Sequence, residues 1–266
     1  MKVLVFLFMI LLTQVSTHAN ASDVDYNYIK GDQKGPKNWW RLSSDWKTCG
    51  YGNMQSPIDL TDAQKDIKLG NLKMNYKPTN AILLNKGHEV ELQWEGEAGY
   101  LEIDSIQYSL TQIHWHNPSE HQIEGTSYDL EAHMVHESKD GKTAVIAILY
   151  KLGASNHFLE KLEDNVKKSE SQQTQYVGVI DPKSVLGVMD TKIIPFENYQ
   201  YYRYIGSFTT PPCSEGVIWT VINKVGTVSA DQVAMFQYAQ EVGSKENARP
   251  LQPRDGRLIK IFNPLF

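Results

Sequence analysis

Three histidines fall where two neighbouring β-strands could bring them together. The first segment reads Gln112-Ile113-His114-Trp115-His116, and the second Asp129-Leu130-Glu131-Ala132-His133. Side chains two apart on a strand share a face, so His114 and His116 project together and His133 can join them from an adjacent strand. Three converging imidazoles with a fourth position open form a catalytic rather than a structural zinc site. A His-x-His pair taken alone is equally compatible with strand histidines satisfied by hydrogen bonds. Two further residues favour the metal. Gln112 and Glu131 each stand two positions before a candidate ligand and so on its face, where a metal-ligating imidazole needs an acceptor for its second N–H.

The elements that would hold these groups read mostly as strands. His88, Val90, Leu92 and Trp94 alternate with Glu89, Glu91 and Gln93, the pattern of a sheet with one buried face. A strand over 101–110 leads toward the His-x-His segment. The apolar run 144–150 suits a strand covered on both faces, and 216–225 places Val217, Trp219 and Val221 on one side. Helices are few: one over 156–168, with Phe158, Leu159, Leu162 and Val166 in a stripe, and one over 230–242 capped by Ser229. Trp39, Trp40 and Trp46 are expected to cover an edge of the core. The fold class is therefore mainly β, a single domain with a large central sheet and short peripheral helices.

Composition bounds the function. With 266 residues, 41% hydrophobic and 21% charged, the chain is that of an ordinary globular protein, and a net charge of -5 argues against a nucleic-acid partner. Lys2, the apolar stretch Val3 to Leu12 and Ala19-Asn20-Ala21 have the form of a secretory signal peptide. We therefore expect residues 1–21 to be removed, leaving a domain over 22–266 with no membrane anchor, secreted or delivered to an internal lumen. In that oxidising setting the two cysteines, Cys49 and Cys213, are expected to close one long-range disulfide, the alternative being two buried thiols. The one acceptor sequon, Asn20-Ala21-Ser22, straddles the cleavage site.

Beyond these readings, several motifs resemble the α-class carbonic anhydrases, in particular secreted plant-type members. They are the two histidine segments, Ser119-Glu120-His121, Gly206-Ser207-Phe208-Thr209-Thr210-Pro211-Pro212-Cys213, Gln55-Ser56-Pro57-Ile58-Asp59, Asn85-Lys86-Gly87-His88 and Asn247-Ala248-Arg249-Pro250-Leu251-Gln252-Pro253. The resemblance implies a twisted, mostly antiparallel ten-stranded sheet and reversible hydration of carbon dioxide to bicarbonate. It implies Zn²⁺ on His114, His116 and His133; carbonic anhydrase is itself the standard example of zinc lowering the pKa of water to about 7. It further implies Thr209 with Glu120 as an orienting pair and His88 as proton shuttle. Val135, Phe208 and Trp219 would wall the carbon dioxide pocket, with Thr210 hydrogen-bonding solvent or bicarbonate. His121 and His136 match structural positions, and Cys49 and Cys213 match the disulfide of extracytoplasmic members. The partner would be a small molecule, and a monomer is expected.

Two positions depart from the pattern. Phe208 stands where efficient members carry leucine, which would crowd the pocket. Lys86 stands where many relatives carry asparagine and would act on His88. The segments 128–132 and 202–209 also resemble dioscorins, yam storage proteins of this fold, so a storage or binding role with vestigial activity is the alternative.

Overall fold

The computed structural model describes residues 25–187, 199–240 and 245–264; the proposed signal peptide lies outside them. Fourteen strands occur among these residues. They are β1 (Asp59–Leu60), β2 (Gln64–Lys65), β3 (Lys73–Tyr76), β4 (Thr79–Asn85), β5 (Val90–Trp94), β6 (Gly99–Ile103) and β7 (Ile106–His116), then β8 (Gln122–Ile123), β9 (Leu130–Ser138), β10 (Thr143–Leu152), β11 (Thr174–Ile180), β12 (Tyr201–Ser207), β13 (Glu215–Val228) and β14 (Lys260–Phe262). Twelve form one sheet, with ten on a continuous path in the order β11-β4-β5-β7-β9-β10-β13-β12-β14-β2. The β3–β6 pair attaches beside it through β7 and raises the ten strands implied by the resemblance to twelve. Pairing is antiparallel except for β10 with β13 and β14 with β2; β1 and β8 form a separate parallel pair.

The sheet separates two cores. On one face Leu130, Ala132 and Met134 of β9 and Ile146 and Ile148 of β10 pack with Phe158, Leu162, Met235 and Phe236 of the helices. On the other, Val135, Val145, Ala147, Val217, Trp219 and Val221 meet Ile58, Leu60 and Ile259. Because β9 and β10 lie mid-sheet with apolar groups on both sides, all of β9 but Glu137 and all of residues 144–150 in β10 are buried. The run 144–150 behaves as its composition predicts.

Local chemistry sets the helix ends. Helix α1 (Trp39–Leu42) and α2 (Thr48–Tyr51) are single turns beside the N-terminal aromatic cluster. Helix α3 (His157–Ser169) is capped by Asn156, whose side chain accepts from Phe158 and Leu159, which supplies acceptors for orphan first-turn N–H groups. Helix α4 (Ala230–Ala239) begins with a reciprocal capping box between Ser229 and Gln232. It ends at Ala239, short of 242; residues 241–244 lie outside the described residues. Trp39 and Trp46 are buried with the Cys49–Cys213 disulfide in a third cluster at the edge of the core. That bridge spans 164 positions in the chain, a loop for which chain entropy alone gives about 5 kcal/mol.

The strand predicted over 101–110 is interrupted. Asp104 and Ser105, both at positive φ, turn the chain between β6 and β7. A second irregularity matters more. In β7 the pairing with β9 shifts between Leu110 and Gln112. Before this bulge Tyr108 and Leu110 face the helix-covered core, and after it Ile113 and Trp115 do. One extra residue therefore reverses which parity points inward, and Gln112, His114 and His116 come to share the opposite face.

His136 continues the β9 alternation into the helix-side core, where its Nε2 accepts from the Tyr76 hydroxyl at 2.7 Å and its Nδ1 donates to the Ala144 carbonyl at 3.3 Å. Burial drives its pKa down to about 4 from 6.5. Because the unfolded chain takes up this proton first, stability is intact above pH 6.5 and falls as pH drops toward 4, by roughly 3 kcal/mol. Melting temperatures from pH 7 to 4.5 are expected to fall less steeply for His136→Gln, although that variant starts lower. Parallel slopes would refute the assignment.

Candidate metal centre

In register, His114 of β7 lies directly opposite His133 of β9, and His116 opposite Glu131. The three imidazoles place one nitrogen each within 4.8 Å of the others. Each ring's remaining nitrogen is engaged. His114 Nδ1 donates to Gln112 Oε1 at 2.9 Å, His116 Nδ1 to the Asn247 carbonyl at 2.8 Å, and His133 Nε2 to Glu131 Oε1 at 2.8 Å. These partners fix the tautomers and leave His114 Nε2, His116 Nε2 and His133 Nδ1 as convergent lone pairs. His116 Nε2 is buried without a hydrogen-bond partner, an arrangement that costs free energy unless another group occupies the point.

Electrostatics keep the rings in their ligating form. Burial holds the His114 imidazole well below its ordinary value, against the pull of Glu89. It lowers His116 against the Asn247 carbonyl, and His133 against Glu131. Neutral imidazoles are what a divalent cation requires. The donor set therefore fits zinc: three histidine nitrogens and no cysteine, the three-ligand set of catalytic sites.

Glu120 sits beside them. Its Oε2 is 3.6 Å from His116 Nε2 and 4.0 Å from His133 Nδ1, while Oε1 accepts from the Arg249 amide at 2.8 Å. Burial pushes its carboxyl up to about 7, opposed by His133, by the Thr209 side chain and by the Arg249 amide. Thr209 thus lies close enough to stabilise the charge, although by strict geometry Oε2 has no hydrogen-bond donor. A cation among the imidazoles would oppose the rise in pKa.

Glu131 is the hub behind the centre. Oε1 accepts from both His133 Nε2 and His121 Nδ1, and Oε2 accepts the amides of Glu120 and His121. His121 Nε2 then meets the Tyr204 hydroxyl at 2.6 Å, and that hydroxyl meets Ser56 Oγ at 2.8 Å. The structural reading of His121 agrees with this chain.

The apolar residues expected to wall the pocket come from β9, β13 and the segment just after β12. Val135 and Trp219 are buried there, the Trp219 ring 4.8 Å from that of His133, and Phe208 packs against the same cluster while remaining partly open. Thr210, half-buried in the following turn, accepts from the Cys213 amide, so the disulfide anchors the Thr209–Thr210 segment.

His88 is half-buried, 4.7 Å from the Tyr26 ring, and its carbonyl accepts from Asn247. Two expectations change here. Glu89 and Glu91, read as the polar face of an alternating strand, are both buried. Lys86 turns to them, at 3.5 and 2.6 Å, so its charge is matched by carboxylates rather than directed at His88 alone.

The residues missed by sequence reasoning are the supports. Asn247 holds His116, the Asn117 amide and the Trp115 carbonyl. Arg249, buried, donates to the carbonyls of Ser56 and Cys49 and to Gln55. Their motif is legible, but the 131 positions between His116 and Asn247 conceal the contact.

Comparisons with known proteins identify the family. A family model for eukaryotic-type carbonic anhydrase matches residues 34–263. Alpha carbonic anhydrase 5 of Arabidopsis thaliana is 43% identical over 98% of this chain and 95% of its own length. Dioscorin dioA3 of Dioscorea japonica is 42% identical over 98% and 94%. Among solved structures, dioscorin complexed with ascorbate superposes with a TM-score of 0.84 at 43% identity, covering 91% of this chain and 99% of that one. A hyperthermostable carbonic anhydrase from a hydrothermal vent chimney gives 0.79 at 34%, covering 90% and 100%. The chain belongs to the α-carbonic anhydrase family.

Proposed function

We propose that this protein is a zinc-dependent carbonic anhydrase that interconverts carbon dioxide and bicarbonate. The observation that carries the reading is the convergence of three imidazole lone pairs, each backed by its own acceptor, on a point where buried His116 Nε2 has no other partner. His114, His116 and His133 hold the ion, which supplies the Lewis acidity that makes water nucleophilic near neutral pH, carbonic anhydrase being the standard case.

The chain's own residues do the rest. Glu120 takes the Thr209 hydroxyl proton as a hydrogen bond, leaving the Thr209 oxygen to accept one from the attacking water and aim its lone pair at carbon. Val135, Phe208 and Trp219 offer a nonpolar substrate a dry surface, and Thr210 hydrogen-bonds product or solvent. His88 carries the released proton to buffer, a task suited to an imidazole. In weak buffer His88→Ala is expected to slow turnover at least tenfold and to recover with added imidazole. Unchanged rates would assign the proton to another path.

The substrate is a small molecule. We take the mature chain to be a monomer of residues 22–266; the likeness to plant α carbonic anhydrases and the long-range disulfide support its working in the secretory pathway, outside the cell or in an internal lumen. Among the described residues no helix is long and apolar enough to cross a membrane. A second reading, storage or binding with vestigial activity, draws on the dioscorin relatives and on Phe208 crowding the pocket.

Stopped-flow hydration of carbon dioxide, with zinc measured on the same sample, separates them. One zinc per chain with chelator-sensitive hydration is expected. Zinc without hydration would favour the storage reading, and neither after metal addition would overturn the proposal.

A further inference from the structure

The sheet face opposite the histidines carries a second concave region. Along β12, Tyr204 faces the metal side through its bond to His121, so Tyr201, Arg203 and Ile205 point the other way. There the 66–73 segment, the β6–β7 turn and residues 258–260 enclose an open cleft of about 900 Å³, within the range of roughly 300–1,000 Å³ typical of small-molecule sites.

Most of its charges are matched. Lys73 pairs with Glu102 at 3.0 Å, and Lys260 with Asp66 at 2.7 Å. Arg203 is different. Its Nε donates to Thr220 Oγ1 at 3.0 Å and its guanidinium lies 5.2 Å over the Tyr201 ring, but among the described residues no carboxylate comes within 4.0 Å. Asp104, on the turn, acts on it only at longer range, and burial pulls its pKa down. A guanidinium so placed is costly without a counter-charge, and its terminal nitrogens, not sealed from solvent, are left for one. Lys68 is on the same wall; its amide donates to Asp66 Oδ1 at 3.0 Å, but among the described residues its ammonium has no carboxylate within 4.0 Å and acts on Asp66, which Lys260 already pairs, only at longer range. Beside these cations lie apolar groups a folded chain ordinarily covers: Ile205 is 43% and Leu258 46% exposed.

We propose that this cleft binds a small organic carboxylate, held by the terminal nitrogens of Arg203 in a two-point fork, with Lys68 as second cation and Ile205 and Leu258 covering its hydrocarbon body, while the buried Tyr201 ring backs the guanidinium. Arginine's planar donors match a carboxylate in a way lysine cannot. A bare inorganic anion would satisfy Arg203 and leave the apolar side open, which favours the organic ligand.

Titration calorimetry of the purified protein with 4-phenylbutyrate, and separately with inorganic phosphate, tests this. The carboxylate is expected to bind one site with Kd below about 1 mM, at least tenfold tighter than phosphate, and to do so equally after metal removal. Arg203→Lys, which keeps the charge and loses the fork, and Ile205→Glu, at an exposed position, are each expected to weaken binding at least tenfold. Unchanged affinity in both variants, no binding by the native protein, or phosphate binding as tightly would overturn the proposal. Binding that vanishes with the metal would also overturn it, by placing the ligand at the histidines.

Discussion

Replacement of His133 by glutamine is expected to leave purified protein with far less than one zinc per chain and no chelator-sensitive hydration of carbon dioxide. The imidazole does two things at once. Nδ1 faces His114 Nε2 at 3.3 Å, on the point where the three lone pairs meet, while Nε2 is committed to Glu131. Glutamine offers an amide oxygen in place of a basic nitrogen, and its flexible chain does not hold two groups in the fixed opposition of the imidazole ring. Loss of an outer hydrogen-bond partner alone costs about 10–100-fold in metal affinity, so loss of a donor should exceed that. The experiment is metal analysis after dialysis against a weak chelator, with Gln112→Ala as comparison. Gln112→Ala removes only the acceptor of His114 and should retain partial occupancy. Full zinc occupancy in His133→Gln would exclude His133 as a ligand.

The strand segments of this centre were legible because strand periodicity is local. His114 and His116 follow from spacing two, and Gln112 and Glu131 from the same rule applied one step back. The meeting of β7 with β9 was not. It depends on a bulge between Leu110 and Gln112, which reverses the parity of a strand whose residues otherwise read as one uninterrupted run. Nor does alternation reveal that Glu89 and Glu91 are buried: a charged residue in an alternating strand reads as solvent-facing unless its cation is known, and Lys86 reaches them from the preceding turn. The mainly β class, the Ser229 cap of α4 and the burial of Trp39 and Trp46 needed only composition and neighbours. Strand order was not legible: it rests on pairings as distant as Lys260 with Gln64, and the resemblance implied only a ten-stranded, mostly antiparallel sheet.

Substitution of Glu131 by alanine is expected to damage the metal centre and the fold together. Its two carboxylate oxygens, fully buried, accept four N–H groups: two backbone amides and two imidazoles. Burial alone would raise its carboxyl pKa, but His121 and His133 overcome it and hold the group well below the ordinary carboxylate range. Removing the carboxylate leaves the Glu120 and His121 amides without acceptors in a dry interior, where each orphaned donor costs about 1–3 kcal/mol. It also frees His133 to turn, and His121 loses the acceptor that aims it at Tyr204. Adding these losses naively would overshoot, since the site can relax; loss of one member of a buried charged pair, about 3–5 kcal/mol, is the better guide. Denaturant unfolding of the metal-free protein should therefore show that loss in Glu131→Ala, and zinc affinity should fall by roughly 10–100-fold. Glu131→Gln keeps the volume and one acceptor oxygen and should fall between the variant and the native protein in both measurements. If zinc affinity fell while the metal-free stability did not, Glu131 would serve the metal alone and the hub would carry no structural load. If stability fell and zinc affinity did not, His133 would keep its orientation by packing against Trp219 rather than through this carboxylate.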